Sequence, residues 1–74
     1  MDLSHFEHLI TDLETNLDRV QLHHLELEKF ISWSMDEVYR LSQTGENNDL
    51  KMQIVALEYR TRLLLERCNK VGLN

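Results

Sequence analysis

The sequence predicts an all-α fold, an antiparallel helical hairpin with coiled-coil-like heptad seams, and three observations carry that expectation. Apolar residues recur at alternating steps of three and four over almost the whole chain, proline is absent, and the two glycines, Gly45 and Gly72, fall where the apolar pattern stops. Steps of three and four keep side chains on one side of a helix, and such a stripe is a seam that presses against another helix. Glycine commonly ends a helix, so its placement here leaves two long stretches free of breakers.

The first stripe reads Leu3, Phe6, Ile10, Leu13, Leu17, Val20, His24, Leu27, Ile31, Ser34, Val38 and Leu41 in one frame, which predicts a long first helix over about residues 4–42. Ser4 followed by Glu7 fits a capping box, in which each side chain satisfies a free backbone N–H of the first turn. Ser32, Trp33 and Ser34 are weaker helix formers, and Ser34 with Glu37 fits a second capping box, so a bend near Trp33 is the alternative. The unbroken frame argues for continuity, because a loop usually resets the phase. Residues 43–49 read as the turn, with Gly45 able to take the left-handed conformation and Asn47, Asn48 or Asp49 able to cap the second helix. The second stripe is Leu50, Ile54, Leu57, Thr61, Leu64, Cys68 and Val71, predicting a helix over about 50–70 with Arg67 and Lys70 in its last turn and Gly72 as its stop.

Folding the chain about Gly45 and Glu46 sets Leu41 beside Leu50, Val38 near Ile54, Ser34 near Leu57, Ile31 near Thr61, Leu27 near Leu64, His24 near Cys68 and Val20 near Val71. The second helix then runs out opposite Val20, and Leu3, Phe6, Leu9, Ile10, Leu13 and Leu17 are left without an intrachain partner. Each such side chain is worth roughly 1.5–3 kcal/mol when fully buried, so the arm over residues 3–20 is expected to pack on a partner chain. Off the seams, Leu22, Leu25, Phe30, Trp33, Met35, Tyr39, Val55, Tyr59, Leu63 and Leu65 form an apolar surplus that a two-helix hairpin leaves partly exposed. The expected partner-binding residues are Phe6, Ile10, Leu13, Leu17, Phe30, Trp33, Tyr59, Leu63 and Leu65.

At 74 residues the chain is one domain at most, too small to bury a large fraction of its surface alone. One cysteine allows no internal disulfide, and no basic, apolar and small-residue sequence marks a signal peptide, which together favour a reducing, cytoplasmic setting. No apolar run approaches the roughly 20 residues that span a bilayer. The net charge of −5 argues against unspecific nucleic-acid binding, which needs clustered Lys and Arg. That charge is divided: residues 1–41 hold nine acids against three bases, whereas residues 50–74 hold five bases against two acids. An acidic arm followed by a basic one suits antiparallel pairing, each exposed pair adding only about 0.2–1 kcal/mol.

Side-chain chemistry points away from catalysis. His5 and His8 lie one turn apart and His24 is expected to face Cys68, yet zinc needs about three or four converging ligands and neither group supplies them. The expectation is that His5 and His8 are solvated, that His24 is a polar seam residue fixing register, and that Cys68 acts as a small apolar group. No carboxylate pair is set for acid–base work, and there is no Gly-rich phosphate loop, nucleophile elbow or metalloprotease helix. No catalytic, metal-ligating or cofactor-binding residue is therefore assigned, and the chain is expected not to be an enzyme.

From about Leu25 to Val71, with Glu37-Val38-Tyr39-Arg40-Leu41, the turn at Gly45 and Asn47-Asn48-Asp49, and then Leu50-Lys51-Met52-Gln53-Ile54-Val55-Ala56-Leu57-Glu58, the chain resembles the small YscE-like co-chaperones of bacterial type III secretion. The acidic opening at Leu13-Glu14 is similar as well. The resemblance implies a cytosolic bacterial protein that pairs with a larger helical-repeat chaperone and helps keep the secretion needle subunit soluble, with the hairpin as its docking surface. Two other readings use the same residues differently. One is a structural coiled-coil subunit in which residues 3–20 pair with those of a second copy in a homodimer or four-helix assembly. The other is an acidic regulator of a basic surface, whose binding would weaken with salt.

Overall fold

A computed structural model describes residues 3–70, all of them helical apart from short connections. Helix α1 spans Leu3–Thr15, a 3-10 helix follows over Leu17–His23, α2 spans His24–Thr44 and α3 spans Asn48–Lys70. The fold is all-α, with no strand among the described residues. Val71 and Gly72, expected as the last seam residue and the helix stop, lie outside the described residues.

The turn between α2 and α3 is set by two residues. Gly45 takes φ +70°, a region open to glycine at no steric cost, and its N–H donates to the Leu41 carbonyl at 3.0 Å. Asn47 takes φ +50°, which asparagine tolerates better than most residues, and its carbonyl accepts the Lys51 N–H at 3.0 Å as α3 begins. The chain reverses here, and α3 returns along α2 so that Ser34 Oγ reaches Glu58 Oε1 at 2.9 Å.

The first helix departs from expectation. Helix α2 passes through Trp33 without a break, and the chain bends instead at Asn16, where φ −134° and ψ 67° leave the helical region. The Asn16 N–H reaches back three residues to the Leu13 carbonyl, and the side chains of Thr15 and Asn16 both donate to the Asp12 carbonyl, at 2.9 and 3.0 Å. These bonds satisfy carbonyls that a continuing helix would have used. The bend brings α1 back onto α3, so the arm expected to await a second chain is packed within its own.

One core results. Phe6, Ile10 and Leu13 of α1, Val20 of the 3-10 helix, Leu27 and Phe30 of α2, and Leu57, Leu64 and Cys68 of α3 are buried together, with Leu3, Leu9, Leu17, Trp33 and Leu65 packed at its margin. Leu41 and Ile54 are buried toward the turn. Two polar seam residues are also buried, and both are satisfied: the single Ser34 hydroxyl hydrogen has the Ile31 carbonyl at 2.7 Å and Glu58 Oε1 at 2.9 Å as acceptors, and Thr61 Oγ1 donates to the Leu57 carbonyl at 2.7 Å. His24 does not join them. Its side chain is half exposed, with Nδ1 3.1 Å from Glu28 Oε1, so it is not the register-fixing seam residue expected opposite Cys68.

Candidate partner-binding surface

Burial separates the expected contact residues into three groups. Phe6, Ile10, Leu13 and Phe30 are in the chain's own core, which corrects their assignment to a partner interface. The reason is the bend at Asn16: α1 covers the flank of α2 and α3 on which Phe30 lies, and the Phe6 ring stacks on the Phe30 ring with centroids 4.5 Å apart. Leu17, Trp33 and Leu65 are half-buried against that core, the Trp33 ring 5.9 Å from that of Phe30. Only Tyr59 and Leu63 stand out into solvent.

Those two belong to a stripe. Met52, Val55, Tyr59 and Leu63 follow one another on α3 at steps of three, four and four, and all four are exposed. At about 100° per residue they share the face of α3 turned away from its buried seam. Arg60 and Arg62, about 200° apart on that scale, mark its two edges. Arg60 faces α1, donating to both oxygens of Glu14 at 3.2 and 2.7 Å and to Thr11 Oγ1 at 3.2 Å. Arg62 faces α2, donating to Glu58 at 3.1 Å and lying 3.3 Å from the Met35 sulfur. On the α2 side Met35 and Tyr39, one turn apart, are exposed and extend the apolar surface. Leu22 and Leu25 are exposed together near the start of α2, as a separate patch.

The stripe was half legible in the sequence. Val55, Tyr59 and Leu63 stand out as off-seam residues; Met52 completes them only when the second 3.6-residue period, opposite the seam, is followed back toward the turn. The Glu14–Arg60 fork was not legible, because it depends on α1 folding back. Hydrogen bonding to Arg60 holds the Glu14 carboxyl below its ordinary range and raises Arg60 in turn, burial opposing both shifts.

No group of three or more His, Cys, Asp or Glu that could hold a metal ion occurs among the described residues, and no ligand-sized pocket opens among them. His5 lies 3.6 Å from Glu26 across the α1–α2 boundary, and Cys68 is buried. No helix among the described residues is long and apolar enough to cross a membrane. No protein-family model, curated protein or solved structure matches the chain.

Proposed function

We propose that this chain is a non-enzymatic helical binding module that docks an amphipathic helical partner along the outer face of α3. The observation that carries the reading is the exposed row Met52, Val55, Tyr59 and Leu63, extended by Met35 and Tyr39. Scattered surface hydrophobes are ordinary, but a methionine, a valine, a tyrosine and a leucine in register over residues 52–63 of one face, with Met35 and Tyr39 beside them on α2, form the anchor type that helix-in-groove recognition uses. Arginines at both edges, each already steered by a carboxylate, leave the centre of the stripe free of charge, as the dry centre of an interface requires.

The specific role this supports is that of a cytosolic co-chaperone: the module pairs with a larger helical chaperone and the pair keeps a type III secretion needle subunit soluble until export. The resemblance between residues 25 and 71 and the YscE-like proteins motivates it, and the stripe lies wholly within that region. Co-expression of the needle subunit and its helical-repeat chaperone with this chain tests it. Soluble needle subunit should rise when the chain is present and fall back when Tyr59→Asp and Leu63→Asp are combined. A yield indifferent to the chain would overturn the co-chaperone reading.

A further inference from the structure

We propose that α1 is exchangeable between copies: the chain opens at the bend into a single helix from Leu3 to Thr44, and two opened copies each dock α1 onto α3 of the other. The proposal is independent of the co-chaperone reading and rests on the construction of the bend.

The segment that bends has a sequence fit for a straight helix. Residues 3–44 contain neither proline nor glycine, and the heptad spacing of the sequence continues through the bend at Leu13, Leu17, Val20 and Leu27, with only the His24 position between them exposed in the closed form. A 3-10 helix of seven residues is longer than the three or four that usually occur, and α2 continues directly from its end at His24. Neither Asn16 nor His23 makes a side-chain cap bond to the helix it precedes. Locally the bend is held by the side-chain bonds from Thr15 and Asn16 to the Asp12 carbonyl, by the backbone bonds from Asn16 to Leu13 and from Arg19 to Asn16, and by the Arg19–Asp12 ion pair; a straight helix replaces the bonds to the Asp12 and Leu13 carbonyls with its own backbone bonds.

The occupant of the opened site is therefore a second copy of this chain. Exchange retains the α1 contacts, Phe6 on Phe30 and Glu14 on Arg60 included, because the same surfaces meet. Only the hinge changes, and the product closes with two-fold symmetry. The balance between closed monomer and exchanged dimer then depends on concentration and on how well residues 16–23 tolerate a straight helix.

The test uses the full chain with Cys68→Ala, His5→Cys and Glu26→Cys. In the closed form residues 5 and 26 adjoin, since His5 Nε2 lies 3.6 Å from Glu26 Oε1. In the straight helix they are 21 residues apart, about 31 Å, beyond a short bis-maleimide. Size exclusion with light scattering separates monomer from dimer at high protein concentration, each pool is cross-linked, and a denaturing gel reads the product. The dimer pool should yield chains joined in pairs and the monomer pool singly bridged chains. Asn16→Ala, which removes a bond holding the bend and favours helix in both copies, should raise the dimerisation constant roughly five- to tenfold. Leu17→Pro, at the first position of the 3-10 helix where proline is tolerated but interior to a straight helix, should leave a helical monomer only. A dimer bridged only within chains, or an Asn16→Ala protein monomeric at about 1 mM, overturns the proposal, and both results stand whether or not the proline variant folds.

Discussion

Phe30 sits fully buried between Phe6 and Trp33, so its side chain joins α1 to α2 at the centre of the core. Phe30→Ala should cost about 3–5 kcal/mol, a large part of what so small a domain has, and urea unfolding followed by circular dichroism measures it. The buried hydroxyls divide differently. Thr61 Oγ1 bonds only the carbonyl one turn back, which the helix backbone already engages, so Thr61→Val should change stability by less than about 1 kcal/mol in either direction. Ser34 Oγ bridges two helices, and Ser34→Ala should cost about 0.5–1.5 kcal/mol, moderated because Glu58 keeps its bond to Arg62. Glu14 contributes a pH dependence. Its carboxyl titrates lower in the folded chain than in the unfolded one, so its contribution is present above the ordinary glutamate range and is lost as pH falls through the depressed value. Both partners are about one-third exposed, so solvent screening keeps the effect within about 1 kcal/mol. The difference in stability between the parent protein and Glu14→Gln should shrink as pH is lowered below about 4, and a difference constant from pH 7 to 3 would remove the ion pair from the account.

At the scale of elements, the turn and the bend were unequally legible. Gly45 announces the turn, since a left-handed residue after a helix favours glycine, and nothing lies within 4 Å of where its Cβ would stand. Gly45→Ala should therefore cost about 1 kcal/mol from backbone conformation alone, and a loss much above 2 kcal/mol would mean that the turn packs against something. The bend at Asn16 left no such mark. Leu17 and Val20 are three residues apart, a step that a 3.6-residue helix and a 3-10 helix both place on one side, so the spacing of these apolar residues does not reveal the change of helix type. The same ambiguity hid the core: a stripe shows that Phe6, Ile10 and Leu13 must be covered but not by which chain. It also misplaced Phe30, off the seam of a two-helix hairpin but central once α1 returns. Helix content, the turn and most seam residues could thus be read from local pattern, whereas the position of α1, and with it the Glu14–Arg60 fork, required the tertiary arrangement.

Across the whole molecule, the buried and the exposed apolar side chains of α3 occupy opposite sides of the helix. Its inner face holds Ile54, Leu57, Thr61, Leu64 and Cys68, buried against α1 and α2, while its outer face presents Met52, Val55, Tyr59 and Leu63 to solvent. Substituting the outer face removes little packing, because Tyr59 is 63 % and Leu63 37 % exposed. Tyr59→Asp combined with Leu63→Asp should therefore shift the unfolding free energy by no more than about 1 kcal/mol, each site being a surface change of about 0.5 kcal/mol. Leu13→Asp, which puts a carboxylate into the core, should unfold α1 or the whole chain. Thermal melts of the two variants beside their partner binding separate the roles: a surface variant that melts like the parent yet no longer binds assigns the stripe to recognition. Were the surface variant to melt as low as Leu13→Asp, the outer face of α3 would belong to the folded core of an assembly, and its row of apolar side chains would be explained by stability alone.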